Sequence, residues 1–501
     1  MSAVPLKSPK QQPLVLPAHG GAYYDGGWHD PKSGRRVDVI NPGTGESLGQ
    51  VADCSADDVD AAVAAAKRAF ADWRNVPPLE RARILKRVAA LLREHAEELA
   101  MIDAADCGNP FTEMVRDATV AAAQIDYFAG LVTEMKGASI PMGPDVVNFS
   151  IRQPLGVVGR IIPFNHPFMF CAGKSAAPLA AGNTIVVKPP EQAPLSSLRL
   201  AELIGGLFPP GVFNVVPGGK EVGAALASHP DVAKVALIGS VPTGRAVMRA
   251  AADTLKKIML ELGGKNALIA YPDADPDEVA DGVIGGMNFT WCGQSCGSTS
   301  RAFLHEKIHD AVLASVKARI GRFKPGLPTD PATTMGAIIS KAQLDRIMSY
   351  IESAKSEGAC LVHGGKRPTE PALAKGFYVE PTVFADVKPT MKIAREEIFG
   401  PVLSVFKWSE EADMLEQVNS VEYGLTSSIW TNDLSTAHRT AAAVQAGYVW
   451  INEVSKHFLG APFGGYKQSG IGREECFEEL LSFTQEKNIH VRLRPAVKRW
   501  S

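Results

Sequence analysis

Apolar and polar positions follow a helical period in the first part of the chain. Ser55-Ala-Asp-Asp reads as a helix start, a capping oxygen followed three residues later by a carboxylate. Val59, Val63, Ala66, Phe70 and Trp73 then recur every three or four residues. Pro77-Pro78 ends that helix. A second helix is expected, with Ile84, Leu85, Val88, Leu91, Leu92 and Leu99 on one face and charged residues opposite. A third runs from about Glu113 to Lys136.

The period changes near Val146. Val147, Phe149 and Ile151 alternate with polar residues and predict a strand. Apolar strands then take turns with helices: Val157–Ile162, a helix over Ala172–Ala181, Thr184–Lys188, a helix near Leu195–Leu207, Phe213–Val216, Val235–Ile238, a helix through Ala252, and Ile258–Leu262. Continuous apolar strands separated by helices imply a parallel sheet covered on both faces. A second set runs from about Asn266 to Asn452. It includes Ala267–Ala270, Arg301–His305, the helix Ile308–Ile320, Pro401–Phe406 and Tyr448–Asn452. The sheet pattern restarts near Gly263-Gly264. Ile489, Val491 and Leu493 alternate again, which predicts a late strand. It could pair with another chain or with the strand near Val147, or form a simple edge hairpin.

The 501 residues suit two or three domains. Lys and Arg (52) nearly cancel Asp and Glu (54), so the basic excess of a general nucleic-acid or anionic-membrane binder is absent. No apolar run approaches the roughly 20 residues that cross a bilayer. Met1 to Gly21 is Pro-rich without an apolar centre and reads as a loose arm, not a signal peptide. Seven Cys, without metal-site spacing, fit a reducing cytoplasm better than a disulfide framework, and no metal is expected.

Two short matches fail on inspection. Gly173-Lys-Ser ends like a phosphate loop, but Phe168 stands where that pattern needs Gly. Asp273-Ala-Asp-Pro-Asp277 begins like a calcium loop, but Glu278 and Ile284 replace its Gly and Glu, leaving a solvated turn and helix cap. Gly293-Gln-Ser295-Cys-Gly297 fits the nucleophile elbow of serine hydrolases, and six later His could complete a triad. The elbow requires a preceding strand, whereas Asp281 to Trp291 reads as helical or irregular. A serine hydrolase or esterase is carried as the alternative function. The same pentapeptide holds Cys296, a thiol between glycines and open to close approach. Cys292 is expected as its buried neighbour, with a redox partnership as the other reading.

Three polar clusters sit at successive strand ends. Pro163-Phe-Asn165 follows one strand, and Lys188-Pro-Pro-Glu191 follows the next. Gly239-Ser240-Val-Pro-Thr-Gly244 joins strand to helix, where backbone N–H groups can hold a phosphate. Together they describe a ligand crevice in a doubly wound sheet.

With these residues in place the chain resembles the aldehyde dehydrogenase superfamily, of the hydrolytic, non-acylating type. Seven motifs stand in the family's order: Pro163-Phe-Asn165, Lys188-Pro-Pro-Glu191, Gly239-Ser-x-x-x-Gly244, Glu261-Leu-Gly-Gly-Lys265, Gly293-Gln-x-Cys296, Glu397-Ile-Phe399-Gly-Pro401, and Pro462-Phe-Gly-Gly-Tyr-Lys467-x-Ser-Gly470. The likeness runs from about Tyr24 to Val491.

The resemblance implies two α/β domains, a Rossmann-like cofactor domain and a catalytic domain, plus a small bridging sheet for oligomerisation. The expected division is an arm over 1–20, a cofactor domain over 21–135 and 156–262, a catalytic domain over 263–470, and a bridging sheet over 136–155 and 480–501. A homodimer or homotetramer is implied. Cys296 is implied as the nucleophile that adds to an aldehyde carbonyl, and Asn165 as a donor to the resulting oxyanion. Loss of hydride to the nicotinamide would leave a thioester, and Glu261 would activate water to hydrolyse it. Lys174 and Glu474 match a buried pair proposed in relatives to relay protons; a structural salt bridge is the other reading.

For the cofactor, the resemblance implies contacts from Ile161, Pro163, Phe164, Lys188, Glu191, Gly239, Ser240, Gly244, Leu262, Glu397 and Phe399. A carboxylate at Glu191 would repel a 2′-phosphate, so NAD is expected, with NADP possible. Phe164 departs from the Trp of many members and lacks its N–H donor. Phe164, Phe168, Met169, Phe170, Trp291 and Phe458 are expected to line a substrate tunnel for a neutral apolar or aromatic aldehyde. Lys456 and His457 could anchor a carboxylate or be solvated. A catalytically silent, NAD-binding member is a further alternative.

Overall fold

A computed structural model describes residues 13–493. The parts of the expected arm at 1–12 and of the bridging segment at 494–501 lie outside them.

Helices come first, as the pattern predicts, and their ends follow local chemistry. Asp58 accepts the backbone N–H of Ser55 at 2.8 Å and fastens the start of the helix Ala56–Trp73. The second helix, Pro78–Glu94, is shorter than expected. His95 leaves helical geometry (φ −100°, ψ 18°) and Leu99 falls on a separate helix, Ala96–Cys107. The third expected helix covers Phe111–Gly130 and stops before Lys136. The single helix expected over 172–181 is two short ones, Pro167–Gly173 and Ala176–Ala180.

The first sheet has eight strands. In spatial order they are Gly27–His29, Ala22–Tyr24, Phe213–Val215, Thr184–Lys188, Val157–Ile161, Val232–Ile238, Lys257–Glu261 and Gly470–Ile471. The five from Phe213–Val215 to Lys257–Glu261 are parallel. Register aligns their carboxyl ends: Ile161 pairs with Lys188 and with Leu237, and Ile238 pairs with Glu261. Residues from four sequence segments therefore meet at one edge, where ligands of such sheets bind.

The second sheet runs Cys360–His363, Thr382–Ala385, Val402–Trp408, Arg301–His305, Ala267–Ala270, Thr426–Trp430 and Tyr448–Ile451, parallel except for its first pair. Thr426–Trp430 is polar in sequence yet fully buried, because the hydroxyls of Ser427 and Ser428 donate to the carbonyls of Ala267 and Glu453. That polarity hides the strand from a periodicity reading. Gly470–Ile471 pairs back onto Lys257–Glu261, so the stretch expected to end the second unit at 470 closes the first sheet.

The late strand Thr484–Arg492 lies antiparallel to Val146–Pro154, which also pairs with Ser139–Pro141. Of the three readings, pairing with the strand near Val147 is the one formed within the chain. Asp275 caps the helix Pro276–Gly286 by accepting from Asp277 and Glu278, the solvated-cap role expected there.

Candidate active site

Cys296 sits on a loop whose path is fixed by backbone geometry. After the helix Pro276–Gly286, Asn288 takes a left-handed φ of 54°, a short turn covers Phe289–Trp291, and Cys292 and Gly293 are left-handed again at 56° and 63°. A side chain at Gly293 would put Cβ 2.3 Å from the Gly400 carbonyl oxygen, so only glycine fits. No strand precedes this turn, and the nucleophile elbow of the hydrolase reading is not formed. Cys292 is buried in an apolar cluster. Cys296 remains partly open on a cavity of about 500 Å³. Burial pushes its thiol up to about 12, with the Glu397 and Glu261 carboxylates adding to the shift.

Asn165 and Glu261 line the same cavity. Asn165 follows the strand Val157–Ile161, and its carbonyl accepts from Asn109 Nδ2 at 2.6 Å. Glu261 ends its strand, and both its carboxylate oxygens are buried without a partner. Burial, with the Glu474 carboxylate adding, raises its pKa well above the ordinary carboxyl range and so disfavours its charged form.

Behind it lies a buried charge network. Glu474 meets Arg160 at 2.5 Å and Lys174 at 2.9 Å; Lys174 also reaches Glu475 at 3.4 Å, and Glu475 meets His457 at 3.0 Å. Burial opposes ionisation of Glu474, but the two cations outweigh it and hold it below the ordinary range. Arg160 and Glu475 were not among the expected residues. Each looks unremarkable in its own segment, and only the packing brings them together.

The expected cofactor residues gather along the carboxyl edge of the first sheet. Ser240 caps the helix Val241–Ala252, and a Cβ at Gly244 would lie 2.6 Å from Leu262 Cδ1, so that helix starts close against Leu262. Lys188 is brought down to about 8 by burial, against the pull of Glu191. Glu191 lines a separate groove of about 430 Å³ with Gly218, Gly219 and Lys220. Glu397 accepts the N–H of Gly264 at 2.9 Å, and burial lifts it to about 7. The Phe399 ring stands perpendicular to Phe164 at 5.6 Å, on a backbone with φ 55°. Ile161 and Pro163 lead from the strand end to Asn165. A helix start, a lysine and a carboxylate at successive strand ends fit a dinucleotide.

The tunnel residues divide. Met169, Phe170 and Trp291 line the cavity. Phe164 and Phe168 do not: Phe164 packs against Phe399, and Phe168 is 1% exposed and packs in the first core, one residue out of phase on its short helix. Phe458 is 60% exposed and lies outside the lining, where Leu459 and His457 stand instead. Lys456 turns to Glu453 at 2.5 Å. The helix Phe111–Gly130 adds Glu113, Arg116, Asp117 and Gln124 to the wall, none of them expected.

This is the architecture of a dinucleotide-linked α/β enzyme. The Aldehyde dehydrogenase family model matches residues 28–489, and the chain belongs to that family. It is 54% identical to the aldehyde dehydrogenase tropH of Talaromyces stipitatus over 487 residues, covering 96% of this chain and 94% of that one. It superposes on an NAD+ complex of an aldehyde dehydrogenase from Bacillus cereus with a TM-score of 0.92 at 40% identity, covering 95% and 97% of the two chains. The indole-3-acetaldehyde dehydrogenase AldA of P. syringae, in complex with NAD+ and IAA, gives 0.93 at 36% identity, covering 96% and 97%. The chain is an aldehyde dehydrogenase, an oxidoreductase acting on the aldehyde group. Among the described residues no helix is long and apolar enough to cross a membrane.

Proposed function

We propose that Cys296, Asn165 and Glu261 carry the oxidation, with a neutral apolar or aromatic aldehyde as substrate. The supporting observation is that all three line one cavity walled by Met169, Phe170 and Trp291. Burial and the nearby carboxylates favour the neutral form of the Cys296 thiol, so it must give its proton to a base to become nucleophilic. The thiolate adds to the carbonyl carbon, and the oxyanion takes hydrogen bonds from the Asn165 side chain and the Cys296 backbone N–H. Bound NAD supplies the hydride acceptor, and the Cys296 adduct is left as a thioester. Glu261, once ionised, takes a proton from the water that attacks it. Lys174 and Glu474 hold compensating charges beside Glu261; they serve as structural support or as a proton relay.

Ile161, Pro163, Phe164, Lys188, Glu191, Gly239, Ser240, Gly244, Leu262, Glu397 and Phe399 would hold the dinucleotide, with Glu191 favouring NAD over NADP. The three-stranded sheet leaves Val147 and Val491 exposed and would join subunits into a homo-oligomer. The expected division into cofactor, catalytic and bridging units is retained, with Gly470–Ile471 assigned to the first sheet.

The test is NADH formation across an aldehyde panel with NAD and NADP. No NADH with any aldehyde, despite tight NAD binding, would favour a silent member. Ester cleavage that survives Cys296→Ala and is lost in Ser295→Ala would favour the hydrolase.

A further inference from the structure

Beside its apolar residues the cavity carries a second polar device. His166 follows Asn165 directly, and its Nδ1 lies 2.7 Å from Asp117 Oδ2. Both side chains are more than nine-tenths buried, and both line the cavity that holds Cys296. The imidazole is locked on two further sides. Trp291 meets it edge-on at 4.9 Å and 85°, and Phe170 at 5.7 Å and 87°. With Nδ1 committed to Asp117, Nε2 makes no hydrogen bond to a side chain or backbone group among the described residues. Nε2 is not one of the sealed, unpaired side-chain atoms, so it is open to the cavity, where a ligand group can pair with it.

We infer that the His166–Asp117 pair selects aromatic aldehydes that carry a neutral ring hydroxyl. The inference rests on the assignment of this cavity to the aldehyde. Trp291, Phe170 and Met169 provide apolar faces for a ring. Nε2 provides one fixed polar contact at their edge. A hydroxyl satisfies Nε2 whether the imidazole is neutral, when Nε2 accepts, or charged, when it donates. A methyl group satisfies it in neither state. A carboxylate on the substrate is disfavoured, because the charges already present are matched. His166 faces Asp117, and Arg116 faces Glu113 at 2.7 Å, so no cation is left over on this wall.

Pocket preorganisation makes the contact selective. A site built to bond a substrate hydroxyl rejects the analogue that lacks it, since its own group is then left unpaired. The test compares kcat/KM, with NAD, for 2-, 3- and 4-hydroxybenzaldehyde against the matching methylbenzaldehydes and 4-formylbenzoate. In the wild type at least one hydroxyl isomer is expected to exceed its methyl counterpart by about tenfold or more, as for a hydrogen bond to a charged or preorganised group. In His166→Phe that ratio is expected to fall to near one, and in His166→Gln, which keeps a polar edge, to be partly retained. NAD binding by fluorescence and thermal melting verify that each variant folds. If His166→Phe does not fold, Asp117→Asn, which frees the ring, is expected to lower the ratio. Equal kcat/KM for hydroxyl and methyl isomers in the wild type, a ratio unchanged in His166→Phe, or preference for 4-formylbenzoate overturns the inference. No NADH from any aldehyde overturns instead the assignment on which it rests.

Discussion

Asn266 donates its side-chain amide to the carbonyl of Cys296 at 2.7 Å. The same amide reaches the Ser298 carbonyl at 2.9 Å, and its oxygen accepts from Thr426 N–H at 3.0 Å. The residue is buried and stands at the start of the strand Ala267–Ala270. One side chain thus ties the cysteine loop to two strands of the second sheet. Asn266→Ala is expected to lower kcat well beyond any change in the KM for NAD, because the loop loses both anchors while the cofactor edge is untouched. Steady-state kinetics with NAD and aldehyde varied separately make the comparison.

Asn165→Ala should slow turnover by about 100- to 1,000-fold, the usual cost of one oxyanion donor. The loss should appear in kcat, with NAD affinity retained. Pre-steady-state NADH formation reads it directly.

Cys296→Ala should abolish NADH formation altogether. Retained turnover would remove the nucleophile assignment. The variant should still bind NAD, since the residues assigned to the cofactor lie at other strand ends.

Glu261→Gln should uncouple the two halves of the reaction. Hydride transfer would leave one NADH per site, followed by slow thioester hydrolysis, visible as a burst. The same change bears on stability. The folded-state pKa of Glu261 is raised above its unfolded value, so folding binds a proton and stability falls as pH climbs above the ordinary carboxyl range. Glu261→Gln is therefore expected to melt higher than the wild type at pH 8, with a smaller difference at pH 5. In the wild type, activity should rise with pH through the neutral and alkaline range, because both Cys296 and Glu261 must lose protons that burial makes them keep.

Glu474→Gln separates structural support from relay. Removing one partner of a buried ion pair costs about 3–5 kcal/mol, so the melting temperature should fall under either role. A shift in the pH profile of thioester hydrolysis, at a temperature where the variant is folded, would mark a relay. An unchanged profile would leave Glu474, Arg160 and Lys174 as a scaffold.

The alternation of strands and helices, the capped start at Ser55, the order of the seven motifs and the strand ends carrying Asn165, Lys188, Ser240 and Glu261 were all legible along the chain. Those are local properties: period, caps and turns are set by residues a few positions apart. Which aromatic residues face the cavity depends on packing, since Phe168 and Phe170 are alike in sequence and differ by rotation on a short helix. Packing alone joins His166 to Asp117 across 49 positions and Arg160 to Glu474 across 314. Packing also makes Asn266 the anchor of Cys296, a role carried by an ordinary asparagine two residues past a glycine pair. Such contacts depend on how whole elements pack, and no short-range pattern records where a distant side chain will be buried.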